Sequence, residues 1–266
     1  MTTPSAAWSP LELDALASAA GTGWAVTLLE TATSTNAVAA AGVDGDGPVA
    51  DTIVVADHQT AGRGRLDRSW ETPAGSALTF SLVVDPGLAD HDWPLLPLAV
   101  ALAVADGVRR AAEVPLALKW PNDLLVPRAD GEAGKVAGIL LERVAGADGR
   151  PLAVIGIGIN VGLAAEDLPV ETATSLAIAG SSVDRTAVFA TVVPALSLIL
   201  DALRREPGAV LERYRTECDT VGREVSVSLP DGEVFTGTAT GLDRNGRLIV
   251  SDRAVGAGDV VHVRPA

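Results

Sequence analysis

Lysine and cysteine are nearly missing from this sequence, and positive charge is missing altogether from its first 62 residues. Cys218 is the single cysteine, which excludes an intrachain disulfide or a cysteine-based metal cluster and fits a reducing, cytoplasmic setting. The first basic residue is Arg63, so the N-terminal stretch lacks the basic n-region of a secretory signal. The longest apolar runs, residues 94–105 and 187–200, are too short to span a bilayer, and no membrane partner is expected. His58, His91 and His262 stand at no mutual spacing that suggests a metal site, and each reads as a surface or packing histidine. A net charge of −14 repels nucleic-acid backbones and anionic lipid, so any bound nucleotide needs a local exception to the overall field.

What is present is the profile of a folded protein. Hydrophobic residues make up 48% and charged residues 20% of 266 positions, enough for a large domain with a small one attached. Ser9, Pro10 and Glu12 predict a helix start with a capping box, running to about Ala20. Periodicity predicts a strand over residues 24–29, a helix over 34–42, strands over 52–56 and 77–84 with a long loop between them, and a buried helix over 94–112. Residues 116–120 predict a short strand, and 135–144 with 152–161 two strands paired across a turn. Asp184 is the expected N-cap of a helix to about Leu203, kinked at Pro194, and residues 207–217 read as a second helix. From Glu224 to Val263, short alternating strands with turns at Asp231-Gly232, at Asn245-Gly246 and over 256–259 predict a small antiparallel barrel. The expected fold class is α+β, with domains over 1–218 and 219–266.

The segment QTAGRGRLDRSW, residues 59–70, sets Arg63, Arg65 and Arg68 against Asp67. Glycine lets backbone amides approach an anion, and guanidinium forks match phosphate or carboxylate oxygens. The segment reads either as an oxyanion loop or as a solvated loop with incidental arginines. The two lysines fall in LKWPND, as Lys119 beside Trp120, Pro121, Asn122 and Asp123, and in GKVAGILLE, as Lys135 near Gly138. An ammonium at the start of a buried strand needs a partner, which a bound phosphate or carboxylate supplies, or else it snorkels at the strand end. TSTN sets Thr33, Ser34, Thr35 and Asn36 at a helix start, for capping or for holding a polar ligand. GIGINVG, residues 156–162, is spaced GxGxxxG with no helix after it, so the dinucleotide fingerprint is rejected, and no Walker A sequence is present. Trp70 and Trp120 lie inside these polar motifs, where an aromatic face either covers a flat ring or packs in the core.

Taken in order, TSTN, QTAGRGR, SW, KWPND, GKVAGILLE and GIGIN resemble the catalytic core of biotin protein ligases, the enzymes that attach biotin to a lysine of carboxylases. The helical segment and small β domain that follow are similar as well. The resemblance implies a mixed sheet flanked by helices, like the core of class II aminoacyl-tRNA synthetases, followed by an SH3-like barrel. It implies a biotin site of Ser34, Thr35, Asn36, Gln59, Gly62, Arg63, Gly64, Arg65, Lys135 and Gly138. It further implies an ATP or adenylate site of Arg63, Arg65, Arg68, Trp70, Lys119, Asn122, Asp123, Lys135 and Asn160, with Lys135, Arg63 and Arg65 carrying the chemistry. ATP and Mg2+ are the implied cofactors, the metal carried on the phosphates near Asp123, and a biotin carboxyl carrier domain is the implied acceptor. Asp67 departs from the family, whose longer loop form has glycine there. No DNA-reading module is expected, because the residues before TSTN include no lysine or arginine, and a monomer or weak homodimer is expected. Lipoate or octanoate ligases share the general fold and reaction type, and a biotin-binding scaffold without transfer is the non-enzymatic alternative.

Overall fold

The computed structural model describes residues 10–66, 68–128, 132–256 and 258–263; Ser9 and Asp67 lie outside the described residues. Helix α1 (Leu13–Ala20) starts later than the expected Pro10, because Glu12 stays extended at its N-cap and makes no capping bond. Strand β1 (Ala25–Ala32), helix α2 (Thr35–Ala41) and strand β2 (Thr52–Gln59) form a parallel β-α-β unit. Gly42 ends α2 at a φ of 78°, a left-handed conformation that favours glycine. The expected long loop folds back on itself as two short paired strands, β3 (Gly62–Arg63) and β4 (Ser69–Trp70).

β5 (Ala77–Val84) and helix α3 (Leu96–Ala112) follow as expected. The next elements are β6 (Ala117–Lys119), β7 (Asp123–Pro127), β8 (Ala133–Ala145) and β9 (Pro151–Asn160). β7 was not expected: its short apolar run directly follows a turn through the cis Trp120–Pro121 peptide, leaving too little alternation to register as a strand. These seven longer strands make one sheet in the order β1-β2-β5-β9-β8-β7-β6, antiparallel except for β1 and β2. Alternation sorts its two faces. On β5, Leu78, Phe80, Leu82 and Val84 enter the large core, Val83 enters a smaller one with Ala39 of α2, and the buried Thr79 and Ser81 share the parity of Val83. The α2 face therefore carries the polar residues.

Helix α4 (Arg185–Arg205) packs against α3 and α1, and Asp184 caps it by accepting from Ala187 N at 2.7 Å. Its 21 residues include an 18-residue window of mean hydropathy 1.9, long and apolar enough to cross a membrane by length and composition; the apolar run had suggested a shorter segment. The helix runs unbroken through Pro194, and its apolar face enters the core, where Phe189 meets Phe80 edge-on at 5.4 Å. A Cβ at Gly107 of α3 would lie 2.5 Å from Val192 Cα, so glycine there sets how closely the two helices approach. Helix α5 (Pro207–Glu217) matches the expected bounds.

Strands β10 (Glu224–Ser228), β11 (Val234–Leu242), β12 (Leu248–Val250), β13 (Arg253–Val255) and β14 (Asp259–His262) form the SH3-like C-terminal unit. They make an antiparallel sheet in the order β13-β12-β11-β10-β14, and the expected turns hold glycines of positive φ, Gly232 and Gly246. Trp120 joins this sheet to the larger one. Its Nε1 donates to Gly246 O at 2.9 Å and its backbone N–H to Thr220 Oγ1 at 3.0 Å. Thr220 Oγ1 in turn lies within hydrogen-bond distance of His262 Nε2, at 3.0 Å.

Gly107→Ala is expected to lower stability by about 1–3 kcal/mol through overpacking against Val192, read as a shift in the denaturant midpoint. Burial, followed by the charges of Lys119 and Arg223, lowers the His262 pKa from 6.5 to about 4. Between those values the unfolded chain takes up a proton that the folded chain refuses, so stability falls as pH drops from about 6.5 towards about 4. His262→Gln should flatten the dependence of the thermal midpoint on pH in that window, and a profile parallel to the parent's would contradict it.

Candidate active site

The cleft lies where β1 and β2 end and the sheet continues into β9 and β8. Its floor is glycine. Gly138 of β8 pairs with Gly158 of β9, and Gly156 lies two residues back on the same face. A Cβ at Gly158 would approach the Trp70 ring to 2.6 Å, and one at Gly156 would approach Asn36 Oδ1 to 2.2 Å. Neither glycine tolerates a side chain without displacing what lies above it. GIGIN is thus the floor of the cleft and not a phosphate-binding turn.

The N-terminus of α2 forms one wall. Ser34 makes no capping bond and lines the cleft, so its hydroxyl is not committed to the helix end. Gln59 Oε1 accepts from Thr35 N at 2.7 Å, which leaves Gln59 Nε2 as a donor without a partner among the described residues. Asn36 Nδ2 donates to Glu142 Oε2 at 2.7 Å and to Leu140 O at 3.3 Å. Its Oδ1 lies 2.6 Å from Ser81 Oγ, which is also 2.7 Å from Thr35 Oγ1. Asn36 is therefore saturated and shapes the wall.

Both lysines converge on Asp123. Lys135 Nζ lies 2.5 Å from Asp123 Oδ1, and Lys119 Nζ 3.4 Å from Asp123 Oδ2. Lys119 faces Asp123 across the β6–β7 hairpin. Lys135 reaches it through a bulge: Leu124 pairs with Ala137 but Leu125 pairs with Lys135, so the extra residue Val136 turns Lys135 to the side of Gly138. Burial alone would push the Asp123 carboxyl up, but the two ammonium groups hold it below the usual carboxylate range.

The glycine-arginine loop closes the mouth. Gly62 is required there, because a Cβ would lie 2.3 Å from Trp70 O across the β3–β4 pair. Arg63 pairs with Glu142 at 2.9 Å. Arg65 donates to Asn122 Oδ1 at 3.1 Å, and Asn122 Nδ2 donates to Ile139 O at 2.7 Å. No carboxylate lies within ion-pair distance of Arg65 among the described residues, and burial lowers its pKa. Four cations thus face two carboxylates, leaving a local excess of two positive charges in an acidic protein.

The expected residues Ser34, Thr35, Asn36, Gln59, Arg63, Gly64, Arg65, Trp70, Asn122, Lys135 and Gly138 all line this cleft. Gly62 lies in the hairpin beneath it, and Lys119 and Asp123 lie beside Lys135. Arg68 turns away and pairs with Asp259 of the C-terminal sheet, a hydrogen bond that raises its pKa. Asn160 is buried at the end of β9, donating to Thr174 O at 2.9 Å, with Oδ1 unpaired among the described residues. Trp120 is core, not cleft. Trp70 lies over the floor with Lys135 Nζ 5.7 Å from its ring centroid, and its Nε1 is buried without a partner among the described residues. Sequence reasoning missed Ser81 and Glu142. Ser81 sits in an otherwise apolar strand, and both meet Asn36 from distant parts of the chain. No group of three His, Cys, Asp or Glu positioned to hold a metal occurs among the described residues.

Comparison with known proteins places these features in one family. Residues 28–160 match the biotin/lipoate A/B protein ligase family, and residues 220–263 match the biotin protein ligase C-terminal domain. The chain is 37% identical to the biotin–[acetyl-CoA-carboxylase] ligase of Mycobacterium tuberculosis, over 92% of each chain. It also resembles the biotin protein ligase of Aquifex aeolicus in complex with biotin and ATP, with a TM-score of 0.74, 27% identity, and coverage of 90% of this chain and 99% of that one. The Leishmania major ligase in complex with biotinyl-5-AMP matches with a TM-score of 0.57, 25% identity, and coverage of 90% and 98%. The glycine-floored cleft, with its converging lysines and arginines, is thus that of a family member: the chain belongs to the biotin protein ligases of the biotin/lipoate A/B protein ligase family.

Proposed function

We infer that this chain is an ATP-dependent ligase that activates biotin as biotinyl-5′-AMP and transfers it to a lysine of a biotin carboxyl carrier domain. The observation that carries this reading is the junction of two environments in one cleft. A walled pocket offers Ser34, Thr35 and Gln59 as hydrogen-bonding groups over a glycine floor, and beside it stand Arg63, Arg65 and Lys135. A ureido ring, with its carbonyl and N–H groups, matches the first, and a carboxylate approaching a phosphate matches the second.

In the first step a biotin carboxylate oxygen attacks the α-phosphorus of ATP, a P–O bond forms, and pyrophosphate leaves. Two anions must meet, so cations have to neutralise the approach. Arg65 has no carboxylate at ion-pair distance among the described residues, only the more distant charges of Asp123 and Asp259, and Lys135 can exchange Asp123 for a phosphate oxygen. Mg2+ enters as part of the ATP substrate. In the second step the acceptor amine attacks the mixed anhydride carbonyl, loses a proton, and AMP leaves. Cys218 takes no part: it is buried outside the cleft, and burial pushes its thiol pKa up. Trp70 supports a covering role over the adenylate, and the loop keeps water from the anhydride.

Biotin-dependent exchange of pyrophosphate into ATP, with no response to lipoate, tests the reading; exchange driven by lipoate instead would overturn it. Lys135→Ala should reduce pyrophosphate release roughly 100-fold to 1,000-fold, and unimpaired release would remove Lys135 from the chemistry. Arg65→Gly should release free biotinyl-AMP and label bystander lysines, whereas labelling confined to the acceptor would contradict a retaining loop.

A further inference from the structure

Ser81 is fully buried on β5, pairs in register with Gly156, and does not itself line the cleft. Proton bookkeeping gives it a role. Asn36 Nδ2 faces two groups that only accept, Glu142 Oε2 and Leu140 O, so the amide orientation is fixed and Oδ1 must face Ser81. Oδ1 only accepts, so the single Ser81 proton goes to it at 2.6 Å. Ser81 Oγ then shows Thr35 only lone pairs at 2.7 Å. The Thr35 proton has two possible acceptors, Ser81 Oγ and Gln59 Oε1 at 3.1 Å. Two oxygens 2.7 Å apart with no proton between them repel more strongly than the pair at 3.1 Å, so the Thr35 proton goes to Ser81.

We propose that Ser81 is a positioning residue that determines specificity, by committing the Thr35 hydroxyl proton inward so that Thr35 faces the cleft as a hydrogen-bond acceptor beside the donor Gln59 Nε2. The chain of bonds runs one way, from Thr35 through Ser81 and Asn36 to Glu142, and Arg63 anchors its far end. An acceptor beside a donor fits a cyclic urea edge, where an N–H adjoins a carbonyl, and disfavours an acid whose ring has neither. This deepens the proposed function and rests on biotin being the acid bound.

Without Ser81 the Thr35 proton is free to point elsewhere and Asn36 Oδ1 is left buried and unpaired. The test is a double-mutant cycle on biotin affinity, measured by calorimetry without ATP, over wild type, Ser81→Ala, Thr35→Val and the double variant. Ser81→Ala should weaken biotin binding roughly tenfold, leaving the KM for ATP within about twofold, and should add less than about twofold in the Thr35→Val background. Ser81→Cys, close in size but a weak donor, should behave like Ser81→Ala and serves if the alanine variant does not fold. Additive effects, or an unchanged affinity in Ser81→Cys, overturn the proposal while leaving the ligase reading intact. Wild-type protein that binds no biotin overturns both.

Discussion

One carboxylate, Asp123, holds both lysines of the chain, and the electrostatics of the cleft depend on it. Lysines and arginines brought to one place repel one another, and burying them without partners costs several kcal/mol per ion. Asp123 and Glu142 make the gathering tolerable, yet they fall two charges short of neutrality. In the proposed function that shortfall is what receives the anion. Full compensation would leave no reason for an anion to bind, and no compensation would strain the fold. An acidic protein thus keeps a small positive site inside a field that otherwise repels nucleotides.

The backbone makes the same site possible in another way. Glycines on β8 and β9 lower the floor by the height of a side chain, and the space they open holds the Asn36 amide and the Trp70 ring. The bulge at Val136 sets Lys135 on the cleft side, and the parallel β1-α2-β2 unit brings Ser34, Thr35 and Gln59 to adjacent strand ends. Hydrogen bonds then fix which atoms face the ligand. The C-terminal sheet meets the segments that carry this site through Arg68 with Asp259 and through Trp120 with Gly246.

Most of the strands and helices were legible, because long apolar periods such as Ala77–Val84 and Pro207–Glu217 leave little choice. The cleft was legible in outline, since its loops concentrate glycine and the rare basic residues. What escaped was pairing across distance. Nothing local to LTFSL marks Ser81 as polar by design, and nothing local to Lys135 names Asp123 as its partner. The fate of Arg68 depends on a residue 191 positions away, and Trp120 reads like a ligand-facing aromatic until the C-terminal sheet folds over it. Local physics marked the groups that need partners, but only the fold says which ones they get.

The measurement that bears most directly on the central claim is the intact mass of a biotin carboxyl carrier fragment incubated with this protein, biotin and Mg-ATP. The account predicts the mass gain of one biotin joined as an amide, on one lysine, dependent on both biotin and ATP. A carrier fragment of unchanged mass, with enzyme that is folded and binds biotin, would contradict it.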